Sequence, residues 1–378
     1  MGALFGNYAR RPIHIVKGQG TIVYDEQGKR YIDFTSGIAV CALGHAHPAI
    51  VEALQQQSEK LWHISNIFES PEQEKLAASL VKDVHFAHAF FCNSGAEANE
   101  AAIKLARKHT GKSRIIVFEQ SFHGRTFGAM SATGQDKVRN GFGPLLDTFT
   151  TLPFNDVETL KNNVDDKVAA IMLETIQGEG GVNSVTSEFA ETIQTLCEQH
   201  GILLIVDEVQ TGIGRTGTRF AYEQTALKPH IISMAKGLGG GFPIGGILGV
   251  AELYDTFNPG THGTTFGGNP LAVAVAQTVI DTIFNDEFLN NVKEQGAYLR
   301  EQLEQALPQD TFSIVGQGLL LGIHCGGKEV ASDVTKLEQA GLLTVQAGAE
   351  VIRLLPPLTV TKEEIDEAVA IIKSVFVR

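Results

Sequence analysis

The chain has 378 residues, 43% of them hydrophobic and 19% charged, a composition that supports a large buried core and excludes disorder and coiled coil. Thirty Lys and Arg against 43 Asp and Glu leave a net charge of −13, which argues against nucleic acid or an anionic membrane as partner, although local groups can still hold a small anion. Cys41, Cys92, Cys197 and Cys325 are dispersed, without a C-x-x-C pair or zinc-ligand spacing, which fits a reducing cytoplasmic compartment, and no export, myristoylation or membrane-spanning signal is expected.

In chain order, apolar runs at 21–24 and 31–34 flank the polar Asp25-Glu26-Gln27-Gly28 and predict a hairpin. From about residue 70 to 250, short apolar β-type runs alternate with amphipathic stretches, the pattern of a parallel sheet covered by helices, so the fold class is α/β. The expected strands are 87–92, 114–118, 168–173, 202–206 and 231–234. Ser94-Gly95-Ala96-Glu97 follows the first of them and opens a helix with Ala98, Ala101, Ala102, Leu105 and Ala106 on its apolar face, with Ser94 and Glu97 as a capping box. A helical stretch at 270–307 breaks only at Asn285-Asp286. Strands are expected near 312–315, 319–324 and 351–354, and a last helix opens at the capping box Thr361-Lys362-Glu363-Glu364. The predicted division is a large domain at 57–276 and a smaller one assembled from both chain ends, 1–56 and 277–378.

Four groups carry chemistry, each with an ordinary alternative. Gly95 at a helix start allows an anion to approach free N–H groups as in a phosphate cradle, the ordinary alternative being a helix start and nothing more. Asp207 and Glu208 end the strand 202–206, where open α/β sheets place ligand groups, although acids at a strand end are commonly solvated. Lys236 follows the strand 231–234. Such a lysine usually snorkels to water, but in a dry pocket its pKa falls and the amine becomes a nucleophile able to form a Schiff base. In Ser121-Phe122-His123-Gly124-Arg125, Phe122 can cover a ring face and Arg125 can grip a carboxylate. One cofactor accounts for cradle, acid, lysine and aromatic plate together: pyridoxal 5′-phosphate.

These residues, with Asn93 to Glu100, Gln177-Gly178-Glu179-Gly180-Gly181, Asp207 to Gly212, Ala235-Lys236 and Gly263 to Pro270, resemble the class III, ornithine-type pyridoxal-phosphate aminotransferases nearly end to end. The resemblance implies fold type I, with a large mostly parallel-sheet domain and a smaller α/β domain, and a homodimer with shared active sites. It also implies that Lys236 forms the Schiff base and carries protons and that Asp207 pairs with the pyridinium nitrogen. Gln210 is implied at the phenolic oxygen, Phe122 on the ring, and Ser94, Gly95 and Ala96 at the phosphate, with His123 and Val209 also in the cofactor site and Thr265 reaching it from the neighbouring subunit. Arg125, Thr264, Glu179 and Arg353 are implied on the substrate side. There Glu179 masks an arginine while the amino donor is bound and frees it for 2-oxoglutarate. A surface acid and an exposed structural arginine are the ordinary alternatives for Glu179 and Arg353.

Small or aliphatic residues from Ser36 to His45, where free-ornithine enzymes usually present tyrosines, resemble the subgroup acting on N2-acetyl-L-ornithine. Cys41 and Thr175 depart from the common Asn and Pro and are positions that could tune the pocket. Ornithine, succinylornithine or 4-aminobutyrate as donor are the nearest alternatives, and a semialdehyde aminomutase is disfavoured by Gln210. The alternatives from other classes are a non-catalytic interaction module without the cofactor, disfavoured by the presence of Lys236 and Asp207, and a metal protein built on His45, His47, His85 and His88, disfavoured because these pairs lack helical i, i+4 spacing and nearby acidic ligands. No metal is expected.

Overall fold

The computed structural model describes residues 3–377, so the expected lack of a targeting signal at Met1-Gly2, and the terminal Arg378, lie outside it. A central sheet has seven strands: β1 (His88–Cys92), β2 (Arg114–Phe118), β3 (Phe149–Leu152), β4 (Val168–Leu173), β5 (Leu203–Asp207), β6 (Ile231–Met234) and β7 (Gly245–Gly249). They lie in the order β1-β7-β6-β5-β4-β2-β3. Only β7 runs antiparallel to its neighbours. Every residue of β4 and β5 is buried, as a parallel strand covered on both faces requires. Alternation sorts the side chains by face. Ile115 and Val117 pack with Ala98, Ala102 and Leu105 of helix α1 (Gly95–Thr110), and Ile116 and Phe118 pack with Phe189 and Ile193 on the other face.

The five strands expected in this region are present, within a residue at their ends, and two were not anticipated. Phe149–Leu152 is a short edge strand, half-buried over three of its four residues, so its apolar signal is weak. Gly245–Gly249 contains three glycines and reads as a loop, yet it lies between β1 and β6. A Cβ at Gly245 would stand 2.5 Å from the Ser94 carbonyl oxygen, and one at Gly246 2.6 Å from that of Phe90. At these two positions the backbones approach too closely for any larger residue, so the glycine pair that helps hide the strand is a condition for its pairing.

The N-terminal hairpin pairs Ile22–Asp25 with Arg30–Asp33, and Leu342–Leu343 adds to it in parallel with Leu342 opposite Ile32, which brings the two chain ends into one sheet. A second four-stranded sheet joins Ser313–Gln317, Leu320–His324, Val351–Leu354 and Val345–Ala347, the last unanticipated. The expected break in the long helical stretch is real: Pro270–Ile283 and Asp286–Ala306 are separated at Asn285, whose side chain accepts the Phe288 N–H at 2.9 Å. The closing helix, Lys362–Phe376, has its full capping box, with the Glu364 carboxylate accepting the Thr361 N–H at 3.0 Å and the Thr361 hydroxyl accepting the Glu364 N–H at 3.3 Å. Among the described residues no helix is long and apolar enough to cross a membrane.

Candidate active site

The C-terminal ends of β1, β2, β4, β5 and β6 face one edge of the central sheet, where a cavity of about 370 Å³ opens. At the end of β1, α1 presents its first turn. The Ser94 hydroxyl accepts the Glu97 N–H at 3.2 Å, but Glu97 does not close the expected box. Its carboxylate instead takes the backbone and side-chain N–H groups of Asn93, both at 2.8 Å. The first-turn N–H groups of Gly95 and Ala96 have no intrahelical acceptor and border the cavity, a setting suited to phosphate. A Cβ at Gly95 would collide with the Val209 side chain at 2.7 Å, so a glycine is what lets this turn sit against the loop after β5.

Asp207, at the end of β5, is buried and held on three sides. Its Oδ2 accepts from Asn99 Nδ2 at 2.7 Å and from His123 Nδ1 at 2.8 Å, and its Oδ1 accepts the Val209 N–H at 3.0 Å. Burial alone pulls the His123 imidazole down, but the hydrogen bond and charge of Asp207 outweigh it and leave the pKa raised. His123 Nε2 and Asn99 Oδ1 are buried with no protein partner. The second acid of the pair points elsewhere. Glu208 accepts from Thr211 Oγ1 at 2.5 Å and from the N–H groups of Ala221 and Tyr222 at 3.0 and 2.8 Å, and burial pushes it up to about 7. It ties down the loop after β5 and does not line the cavity.

Lys236 follows β6 in a left-handed backbone conformation, φ +42°, uncommon for a residue with a side chain and often found where a functional group must be aimed. It is half-buried in the cavity wall, and desolvation lowers its pKa against the opposing charge of Glu179, so more of the free amine is present than for a lysine in water. Phe122 is also half-buried in the cavity lining, with the Arg125 guanidinium 5.6 Å above its ring centroid. Arg125 is otherwise exposed at the mouth, and among the described residues it has no carboxylate partner.

Arg353, on the strand Val351–Leu354, is fully buried rather than exposed. Its Nη1 donates to the Gly178 carbonyl at 2.7 Å and to Gln210 Oε1 at 2.8 Å, and lies 2.9 Å from Glu179 Oε1, while its Nε is unpartnered. Glu179 lines the cavity. Burial tends to raise its pKa, but Arg353 outweighs this and holds the carboxyl below its usual range.

Neither Thr264 nor Thr265 lines this chain's own cavity, although Thr264 touches the lining residue Asn93. The Thr264 hydroxyl accepts from Asn93 Nδ2 at 3.2 Å and Thr265 is exposed. Cys41 and Thr175 sit one residue away from the lining positions Val40 and Glu174 and do not line the cavity themselves. The candidate metal histidines do not converge. His45 Nε2 is 2.7 Å from Asp33 Oδ2, His85 Nε2 is 2.7 Å from the Pro229 carbonyl, and His88 packs on Tyr254. Among the described residues no group of three or more metal-ligating side chains occurs.

Two residues without a role in the sequence reading belong to the site. Asn99 fixes both Asp207 and the His123 carbonyl, the latter at 2.7 Å; the signal for it was an amide among alanines on the buried face of α1. Glu174, at the end of β4, accepts the Phe122 N–H at 3.0 Å, and burial pushes it up to about 7. The fully apolar strand before it, ending in an acid, is the same signal that marked Asp207.

The lining suits pyridoxal 5′-phosphate: free N–H groups at a helix start, a fixed carboxylate, an aromatic wall, an amine of lowered pKa, and unpartnered buried atoms on His123 and Asn99. The aminotransferase class-III family model matches residues 6–376. The acetylornithine aminotransferase of Bacillus cereus is 54% identical over 374 residues, covering 98% of this chain and 97% of that protein. Among solved structures, the ornithine aminotransferase of Toxoplasma gondii, with PLP at partial occupancy in its active site, superposes with a TM-score of 0.94 at 33% identity over 99% of this chain and 92% of that one. The N-acetylornithine aminotransferase of Stenotrophomonas maltophilia gives 0.85 at 39% identity over 97% and 96%. A seven-stranded, mostly parallel sheet with a lysine, a buried aspartate and a helix start at one edge is thus fold type I, and the chain belongs to the class III aminotransferases.

Proposed function

We propose that the protein transfers the 5-amino group of N2-acetyl-L-ornithine to 2-oxoglutarate, giving N-acetyl-L-glutamate 5-semialdehyde and L-glutamate, as a step of arginine metabolism. When bound, pyridoxal phosphate supplies the electron sink that allows a proton to leave the carbon bearing the amino group. Lys236 would hold the cofactor as a Schiff base and carry the proton through its Nζ, a role supported by its lowered pKa and its place in the cavity wall. Asp207 would keep the ring nitrogen protonated, oriented by Asn99 and His123. The first turn of α1 would hold the phosphate, with Phe122, Val209 and Gln210 bounding the ring.

The choice of donor is carried by the full-length relatives at 54% identity, and the ion pair of Arg353 with Glu179 beside Lys236 supports the alternation between the two substrates. With Glu179 in place, Arg353 is neutralised and presents no unpaired cation to repel the donor's terminal amino group, while Arg125 is free for its carboxylate. When Glu179 swings away, Arg353 is exposed to the second carboxylate of 2-oxoglutarate. One site can thereby take two substrates of different charge.

We further propose a cytoplasmic homodimer in which Thr265 completes the partner's phosphate site. Its exposure supports this, as does an apolar patch nearby, where Phe266 is 60% exposed with His63 at 5.1 Å and Trp62, Ile67 and Phe68 are exposed alongside. The four free cysteines are in keeping with the compartment. The seven-stranded sheet falls wholly within residues 57–276, which we propose as the cofactor domain, with 1–56 and 277–378 as the smaller one.

The test is a spectroscopic titration. The visible band of the purified holoenzyme should bleach at much lower N2-acetyl-L-ornithine than free L-ornithine and return on adding 2-oxoglutarate. A stronger response to ornithine would overturn the substrate, and absence of any band after adding pyridoxal phosphate would overturn the cofactor.

A further inference from the structure

A second cavity, a cleft of about 750 Å³, lies beyond the far end of α1 from the catalytic cavity, and its walls are basic. Lys104, Arg107 and Lys108 come from the last turns of α1, and Lys112 from the residues just past its cap at Gly111. Lys167, from the turn before β4, is on the lining from a separate element. Cations in the last turn of a helix complement its dipole, which accounts for Arg107 and Lys108 but not for Lys104, about one turn earlier, or for Lys167. Only one acid, Asp166, lines the cleft, and its neighbour Asp165 is engaged by Arg114 at 2.8 Å. Among the described residues none of the five cations has a carboxylate ion pair. Lys104 and Lys108, at i and i+4, repel each other on the helix surface. Such a concentration of unneutralised positive charge in a chain of net charge −13 focuses a local field that opposes the field of the whole molecule.

The cleft continues to a hydrogen-bonding and apolar side. Thr261 and the half-buried Phe257 line it, and Lys104 Nζ is 2.8 Å from His262 Nδ1, which leaves the ammonium further donors to offer. Several ammonium groups and one guanidinium around a concave surface match an anion with charge spread over more than one phosphate, which a single carboxylate or orthophosphate would leave mostly unmatched.

We propose that this cleft is a binding site for a small polyphosphate, separate from the cofactor site. The inference does not depend on the identity of the amino donor. The probe is inorganic pyrophosphate, titrated calorimetrically into the holoenzyme, with orthophosphate and ADP in parallel. Pyrophosphate should bind saturably, once per chain, more tightly than orthophosphate and more weakly as salt is raised, with the visible band of the cofactor unchanged. Lys108→Glu and, separately, Lys167→Glu should each weaken it by about tenfold or more while transaminase activity is kept, which shows that the variants fold. Tighter binding of ADP than of pyrophosphate identifies a nucleotide as the source of the phosphates, and equal or weaker binding identifies the free polyphosphate. Absence of saturable binding, binding indifferent to both substitutions, or binding that displaces the cofactor band would overturn the proposal.

Discussion

Arg353 is a buried cation whose neutrality depends on a carboxylate that is itself only partly covered, Glu179. A pair so arranged is costly to break by removing one member, because the remaining charge stays in the protein interior. Glu179→Gln should therefore slow the donor half-reaction by about tenfold or more, the equivalent of about 1.4 kcal/mol, while the 2-oxoglutarate half-reaction is spared. Single-turnover absorbance measurements separate the two, and unchanged donor kinetics would remove the gating role. At this scale the sequence was informative wherever chemistry demands one residue type at a strand end or helix start, as at Asp207, Lys236 and Gly95. It was less so for Asn99, Glu174 and the buried state of Arg353. Their roles arise from contacts between segments far apart in the chain, such as Arg353 with Gly178, and no local spacing encodes those.

Among the elements, β7 is the least legible and the most constrained. Glycine is depleted in strands because it packs nothing and costs backbone entropy, yet here the neighbouring carbonyls leave no room for a Cβ. Gly246→Ala should destabilise the protein by about 1–3 kcal/mol, the usual range for overpacking, since the obstructing atom is a backbone oxygen that cannot rotate away. Urea unfolding monitored by far-ultraviolet circular dichroism measures this, and an unchanged midpoint would show that β1 and β7 can part without cost. The contrasting case is the closing helix, whose cap, apolar spacing and end are all readable because they are local. Ser94 lies between the two: the helix start was legible, but Glu97 reaches Asn93 rather than Ser94, a choice set by the geometry after β1.

For the whole molecule, the expectation of an α/β fold with a mostly parallel sheet followed from alternation alone, while the strand order depended on pairings between segments up to hundreds of residues apart. The shared-site dimer has a direct test. Chains carrying Lys236→Ala and chains carrying Thr265→Glu should each be inactive as homodimers. Mixed after dissociation, they should recover about a quarter of wild-type activity, since half of randomly assembled dimers are hybrids with one intact site each. No recovery would mean that Thr265 serves its own chain or none. The pairing of Leu342–Leu343 with Arg30–Asp33 has a further consequence, during synthesis. The N-terminal hairpin leaves the ribosome with an edge whose partner is some three hundred residues from being translated, a wait of tens of seconds at about 5–20 residues per second. For that interval Ile32 and Phe34, fully covered in the finished protein, are open to whatever holds nascent chains, until a strand made some three hundred residues later closes over them.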